Sequence, residues 1–148
     1  MPPTVAVAVV DGVATVTLNR PVVRNALTPQ VVAELNGALV MLEADDGVVV
    51  VILTGADPAF CAGVDLRAVA SGEAVLSPPT GRGPFPARRK LLIAAVNGPA
   101  VTGGLELALN CDFMVASERA RFADTHARVG VMPGWGLTVL LTQRIGVA

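Results

Sequence analysis

The chain has 148 residues with a formal net charge of −1, 53 % hydrophobic residues and only 3 % aromatics. That length suffices for one domain with an aliphatic core, and the hydrophobicity is too high for a disordered chain. Near-neutral charge excludes a global field that would draw the chain to nucleic acid or to an anionic membrane.

Two cysteines, Cys61 and Cys111, make neither a disulfide framework nor a metal-ligand cluster. Read as buried reduced thiols, they fit a cytoplasmic setting. The N-terminal MPPTVAVAVVDG lacks the basic and long apolar regions of a signal peptide. The most apolar stretch, 91–109, is interrupted by Asn97, Gly98, Pro99, Gly103 and Gly104 and contains Glu106, so it reads as buried core and not as a membrane span.

In chain order, 5–10 and 13–18 are β-branched runs around Asp11-Gly12, a strong hairpin signal. Asn19-Arg20-Pro21 ends the second strand. Thr28-Pro29 is an N-cap followed by Pro at the first helical position. Val31, Leu35, Ala38, Leu39 and Leu42 then share one helical face, and Asp45-Asp46-Gly47 closes the helix. Residues 48–53 are continuously aliphatic, which predicts a strand covered on both faces. Residues 54–58 form a turn, and 65–70 a short helix.

Residues 77–86 hold four prolines and two glycines and read as a mobile surface loop. Arg88-Arg89-Lys90 is a basic run, either a solvated element end or a contact for an anionic phosphate. Residues 91–96 form a second buried strand next to 48–53, stopped by Asn97-Gly98-Pro99. A helix starts near Gly103, a strand covers 112–116, and a last helix begins at Leu137. The pattern is a hairpin followed by strand-helix units, hence an α/β fold in one domain.

Two segments share one form, a strand followed by a Gly-containing turn and a helix start: LTGADPAFCAGVDL (53–66) and AAVNGPAVTGGLELALNCD (94–112). Glycine lets backbone approach a ligand, and the first amides of a helix lack intrahelical acceptors. Side by side, two such turns can aim two N–H groups at one oxygen. Taken singly, each is equally an ordinary tight turn.

These two segments, together with NRPVVRNAL (19–27) and FADTHARVGVMPGWG (122–136), resemble four motifs of the crotonase superfamily (the enoyl-CoA hydratase/isomerase family), in the family's order and over essentially the whole chain. The resemblance implies a crotonase-like spiral of ββα units across 1–148. It also implies that this is an incomplete domain, lacking C-terminal helices that cover the acyl pocket and build a trimer or a dimer of trimers. The implied substrate is an acyl-CoA thioester, with coenzyme A as part of the substrate and no separate cofactor or metal.

Carried over by position, the oxyanion-hole amides are those of Val64 and Gly103. Ala26, Ala62, Asp65 and Leu66 match positions lining the acyl-CoA groove. Glu106 matches the first acid/base glutamate and sits in an otherwise apolar helix, a setting suited to proton transfer. At the second glutamate position this chain has His126, its single histidine. That residue is either a proton carrier or a hydrogen-bonded structural group. Asp124, two residues away, is a weaker candidate on the same extended segment.

The implied reaction is hydration of a 2-enoyl-CoA. An enoyl-CoA isomerase using Glu106 alone is the alternative, and an acyl-CoA binder with little turnover is a third reading. A serine hydrolase built on Ser71 or Ser117 lacks the G-x-S-x-G elbow. Residues 98–104 lack the Lys-Ser/Thr of a phosphate loop, and no H-x-x-x-H or Cys cluster supports metal catalysis. The last helix is expected to expose Leu137, Leu140, Leu141 and Ile145, near Trp135.

Overall fold

The computed structural model describes residues 3–72 and 83–147. Strands β1 (Val5–Val10) and β2 (Val13–Leu18) form the expected hairpin, with Val10 opposite Val13. Asp11 (φ 48°) and Gly12 (φ 78°) both adopt left-handed backbone, the requirement of the tight two-residue turn that Asp-Gly supplies.

Helix α1 (Pro29–Ala44) starts at Thr28, whose side chain accepts a hydrogen bond from the Val31 amide at 3.3 Å. Val31, Leu35, Ala38, Leu39 and Leu42 are all buried, so the apolar face is the one read from their spacing. Glu34, off that face, clips the helix to β1: its Oε2 accepts from Thr4 N (3.0 Å), Thr4 Oγ1 (2.6 Å) and Val5 N (3.2 Å).

Strand β3 (Val50–Gly55) runs parallel to β2, and β4 (Leu91–Val96) runs parallel to β3 with Val50 opposite Leu91. Short helix α2 (Leu66–Ala70), capped by Asp65, lies between them in sequence. The expectation that β3 is covered on both faces is not met. Val51 and Leu53 are buried, whereas Val50, Ile52 and Thr54 are half-buried and Val49 is exposed. Helix α1 covers one face of the sheet only. On the two edge strands of this sheet, Val7, Val9, Phe113 and Val115 stay exposed. An unbroken Val/Ile run cannot signal which of its faces is covered.

After β4 the chain makes a three-residue strand, β5 (Pro99–Val101), then α3 (Gly103–Leu109). Strand β6 (Phe113–Ala116) returns to the main sheet, whose order is β1-β2-β3-β4-β6. Strand β7 (Arg121–Ala123) then pairs in parallel with β5, and α4 (Leu137–Ile145) follows. Each turn of the chain thus places one strand in the large sheet and one in a small sheet before a helical segment, which is the expected ββα spiral. Single bridges from Cys61 to Ala100 and from Leu27 to Val64 continue that small layer.

The basic run proves structural. Arg88 pairs with Asp112 at 2.7 Å, Arg89 with Glu43 at 3.2 Å, and the Lys90 ammonium donates to the Leu42 and Asp45 carbonyls. It stitches β4 to the end of α1, so no phosphate contact is needed to explain it. Of the loop expected at 77–86, residues 77–82 lie outside the described residues. In the remainder Phe85 is buried in the core, contrary to a purely surface reading.

Helix α4 meets expectation at Ile145 but not at the leucines. Trp135 and Leu137 are buried, Leu140 and Leu141 are half-buried, and the exposed apolar side chains are Val139 and Ile145. Among the described residues no helix is long and apolar enough to cross a membrane.

Candidate active site

The two Gly-containing turns pack directly on one another. Asn25, fully buried with φ 58°, donates from its amide nitrogen to the carbonyls of Ala56 (2.8 Å) and Ala59 (2.7 Å), fixing the turn after β3. Its carbonyl oxygen accepts from Arg20 N at 2.9 Å. In the sequence Asn25 stands out only as part of the 19–27 motif. Its one local signal is a polar residue set between an arginine and the apolar Ala26-Leu27.

Beyond this turn, Gly63 (φ 90°) lies under Thr102. A Cβ at residue 63 would stand 2.0 Å from Thr102 Oγ1 and 2.8 Å from the Val101 carbonyl oxygen. Thr102 itself is held at φ 47°, ψ −115°, a conformation costly for a β-branched residue and typical of sites whose surroundings fix the backbone. Gly104 sits as tightly on Cys61, where a Cβ would meet the carbonyl oxygen at 2.2 Å.

Val64 and Gly103 therefore lie side by side: a Cβ on Gly103 would be 3.7 Å from Val64 Cγ2. Leu27 donates to the Gly63 carbonyl and Asp65 donates to the Leu27 carbonyl, both at 2.8 Å, so in this parallel bridge the Val64 amide points away from Leu27. Among the described residues neither the Val64 nor the Gly103 N–H has an acceptor. Gly103 opens α3, where a free amide is expected.

One turn into α3, Glu106 is completely buried. Its Oε1 accepts from the backbone amides of Trp135 (2.7 Å) and Leu137 (3.2 Å). Asn110, one turn further, donates to the Trp135 carbonyl at 2.8 Å and so holds that segment against α3. Glu106 Oε2 is left facing His126 Nε2 at 3.6 Å, and among the described residues neither atom has a hydrogen-bond partner.

On the other side of the ring, His126 Nδ1 is 2.6 Å from Asp124 Oδ1, which also accepts from the His126 amide at 3.0 Å. These bonds from His126, its backbone amide foremost, hold the Asp124 carboxyl below the usual carboxylate range. Asp124, rated the weaker candidate in the sequence, is the direct partner of the imidazole.

A cavity of about 100 Å³ adjoins this array, lined by Ala62, Val64, Leu66, Thr102, Thr125, His126, Val129 and Val131. Thr102, Thr125, Val129 and Val131 carry no sequence signal. Of the four residues expected at an acyl groove, Ala62 and Leu66 line this cavity. Ala26 and Asp65 stand behind it: the Ala26 carbonyl accepts from Arg20 Nη1 at 2.6 Å, and the Asp65 carboxylate is 3.2 Å from the same guanidinium and caps α2.

A larger groove of about 510 Å³ lies beyond α3, lined by Leu105, Leu109, Phe113, Phe122, Leu141 and Ile145 among others. It touches Asp124 but neither Glu106 nor His126.

Residues 9–148 match the profile of the family described as Enoyl-CoA hydratase/isomerase. The chain belongs to the enoyl-CoA hydratase/isomerase family. It is 46 % identical over 139 residues to the protein named "Probable enoyl-CoA hydratase 1, peroxisomal" of Arabidopsis thaliana, covering 91 % of this chain and 52 % of that protein. Among solved structures it resembles an enoyl-CoA hydratase from Mycobacterium tuberculosis H37Rv, with a TM-score of 0.86 at 51 % identity over 97 % of this chain and 60 % of that one. An enoyl-CoA hydratase from Mycobacterium smegmatis gives a TM-score of 0.88 at 51 % identity, covering 99 % and 61 %. These neighbours share the crotonase fold described above. The chain spans about half the length of the curated relatives it matches, 52 % and 54 % for the first two.

Proposed function

We propose that the protein hydrates 2-enoyl-CoA thioesters, with Glu106 and His126 as the proton-carrying pair and the amides of Val64 and Gly103 as the oxyanion hole. The observation that carries this reading is the gap between Glu106 Oε2 and His126 Nε2. One atom of each buried proton-transfer group faces the other at 3.6 Å, and among the described residues neither atom has a hydrogen-bond partner. Buried polar atoms are normally satisfied, and an unsatisfied pair beside a cavity suits a reacting molecule that completes its bonds.

In the proposed step, water bonds through its oxygen to the β-carbon of the enoyl group, and its proton passes to one member of the pair. The C=C electrons move onto the thioester oxygen as an enolate. The Val64 and Gly103 amides stabilise that charge, each donor contributing about 3 kcal/mol to lowering the barrier. The enolate then collapses as the other member delivers a proton to the α-carbon. One proton enters the pair and one leaves, so the site is reset after its proton relaxes between the two groups.

An enoyl-CoA isomerase remains the second reading, since it moves a single proton and Glu106 suffices for it. Turnover of crotonyl-CoA compared with a 3-enoyl-CoA tests the assignment. Loss of the conjugated enoyl absorbance with the first substrate supports hydration, and conversion of the second alone supports isomerisation. Tight binding of both with no conversion indicates an acyl-CoA binder.

Homo-oligomerisation, as a trimer or a dimer of trimers, belongs to the same reading and is supported by the exposed apolar side chains of the sheet and of α4. A cytoplasmic setting is supported by two buried free thiols, Cys61 and Cys111.

A further inference from the structure

We propose that Asp124 is a positioning residue of the site: it accepts a hydrogen bond from Nδ1–H of His126 and so presents Nε2 to Glu106 and to the cavity. Three distances define the array. Asp124 Oδ1 lies 2.6 Å from His126 Nδ1 and 3.0 Å from the His126 amide nitrogen, and His126 Nε2 lies 3.6 Å from Glu106 Oε2. A single carboxylate oxygen therefore fixes both the backbone and the ring of one residue. The ring is turned so that Nδ1 meets that oxygen, and in this setting its second nitrogen points at the buried glutamate.

The burial is graded along the same line. The Asp124 side chain is 40 % exposed, that of His126 is 5 % and that of Glu106 is 0 %. A solvated carboxylate can stay ionised without a further partner. This one is held below the usual carboxylate range by the His126 N–H groups and has no proton to offer. The hydrogen between it and the ring therefore resides on Nδ1. Nε2 is left to take or give the proton that the reaction moves.

Among the described residues, Asp124 on its own segment and Glu106 from α3 are the two charged groups paired with His126. Asp124 also opens onto the large groove beyond α3, away from the catalytic cavity. It acts on the reaction through the ring and not by touching substrate.

The effect on rate rests on the hydration reading, whereas the effect on the tautomer does not. The test separates the two. ¹⁵N NMR of the imidazole of the protein, assigned by loss of its signals in H126Q, reads which nitrogen carries hydrogen. The native protein is expected to show Nδ1 protonated throughout. D124A removes the acceptor and is expected to release the neutral ring to a mixture dominated by the Nε2–H form. It should also lower kcat for crotonyl-CoA by about tenfold or more with KM little changed. D124N keeps an acceptor oxygen in place and is expected to restore the Nδ1–H form and most of kcat. A merely structural role would move stability without this tautomer pattern or its rescue.

If D124A folds and retains the native tautomer, or if native His126 carries its hydrogen on Nε2 when neutral, the assignment of Asp124 is wrong. Should D124A fail to fold, the native tautomer and that of D124N decide the matter. If the tautomers behave as expected while no form of the protein hydrates crotonyl-CoA, Asp124 stands as the positioning residue and the hydration reading falls.

Discussion

Glu106 Oε2 and His126 Nε2 face each other at 3.6 Å, each buried and, among the described residues, each without another partner. The other oxygen of Glu106 is held by two backbone amides, so the carboxylate is fixed at one end and free at the other. Glu106→Gln keeps an oxygen for those amides and removes only the capacity to take a proton. The variant should fold normally and lose about a hundredfold or more in crotonyl-CoA turnover, the range typical of general acid–base groups. Retained turnover with native thermal stability would assign Glu106 to the scaffold.

Replacing His126 by Glu tests the array from the other side. The change restores the paired glutamates that the family resemblance implies, but it puts a third carboxylate beside Asp124. Like charges this close disfavour ionisation. H126E alone should therefore hydrate crotonyl-CoA slowly, and H126E/D124N should be faster than H126E. Equal rates for the two variants would mean that Asp124 does not sense the charge at position 126.

The framework holding the two turns together has a steep glycine dependence. At Gly104 a methyl group would meet the Cys61 carbonyl oxygen at 2.2 Å and its Cβ at 2.8 Å, both close to rigid backbone. At Gly103 the closest atom is the flexible Leu27 Cδ1 at 3.3 Å. Gly104→Ala should cost about 3 kcal/mol or more. Gly103→Ala should cost less than about 1 kcal/mol, because alanine's helix propensity offsets a mild contact. Urea denaturation of both variants checks the contrast, which disappears if α3 can slide away from the first turn.

How far the sequence carries is clear from particular residues. The α1 face was legible because five apolar side chains recur at helical spacing, and the β1-β2 hairpin because Asp-Gly suits only left-handed turns. Strands β5 and β7 were not, since each has three residues and pairs across some twenty positions with no local pattern. The meeting of Glu106 and His126 was visible through the family resemblance alone. The backbone donors that fix Glu106 come from Trp135 and Leu137, about thirty residues away, and backbone donors leave no trace in residue identity. Asp124 was underrated because its link to His126 is a local turn closed by one oxygen, not a shared strand face.

Stability should fall at both ends of the pH scale. Glu34, through the Thr4 hydroxyl first and then Gln30, and Asp124, through the His126 amide first, are held below their ordinary carboxyl range. A carboxyl depressed in the folded state stabilises above its unfolded pKa, and that contribution is lost as pH falls through the folded value. The acid loss should therefore begin near pH ~4. Burial pushes the Cys61 and Cys111 thiols up to about 12. A group raised in the folded state contributes fully below its unfolded pKa, near ~8.5 for a thiol, and the contribution fades as pH rises towards the folded value. Urea midpoints measured across pH should thus peak between these limits. A midpoint still rising above pH ~9 would contradict the thiol assignment.

The apolar groove beyond α3 sets the last expectation. Phe113 and Phe122 are 44 % and 46 % exposed and Ile145 is 71 % exposed, around a concavity of about 510 Å³ that Leu105, Leu109 and Leu141 floor. Soluble monomers seldom leave contiguous apolar patches larger than roughly a few hundred Å² uncovered. These 148 residues, expressed alone, should therefore self-associate at micromolar concentration and bind a hydrophobic dye. Phe122 and Ile145 stand at the rim, so Phe122→Lys with Ile145→Glu should disperse the assemblies without disturbing the buried pair on the far side of α3. Light scattering against concentration reads the first effect, and dye fluorescence the second. A monodisperse parent chain with no dye binding would show that the groove closes on itself in solution, and the double substitution would then lower stability instead of raising solubility.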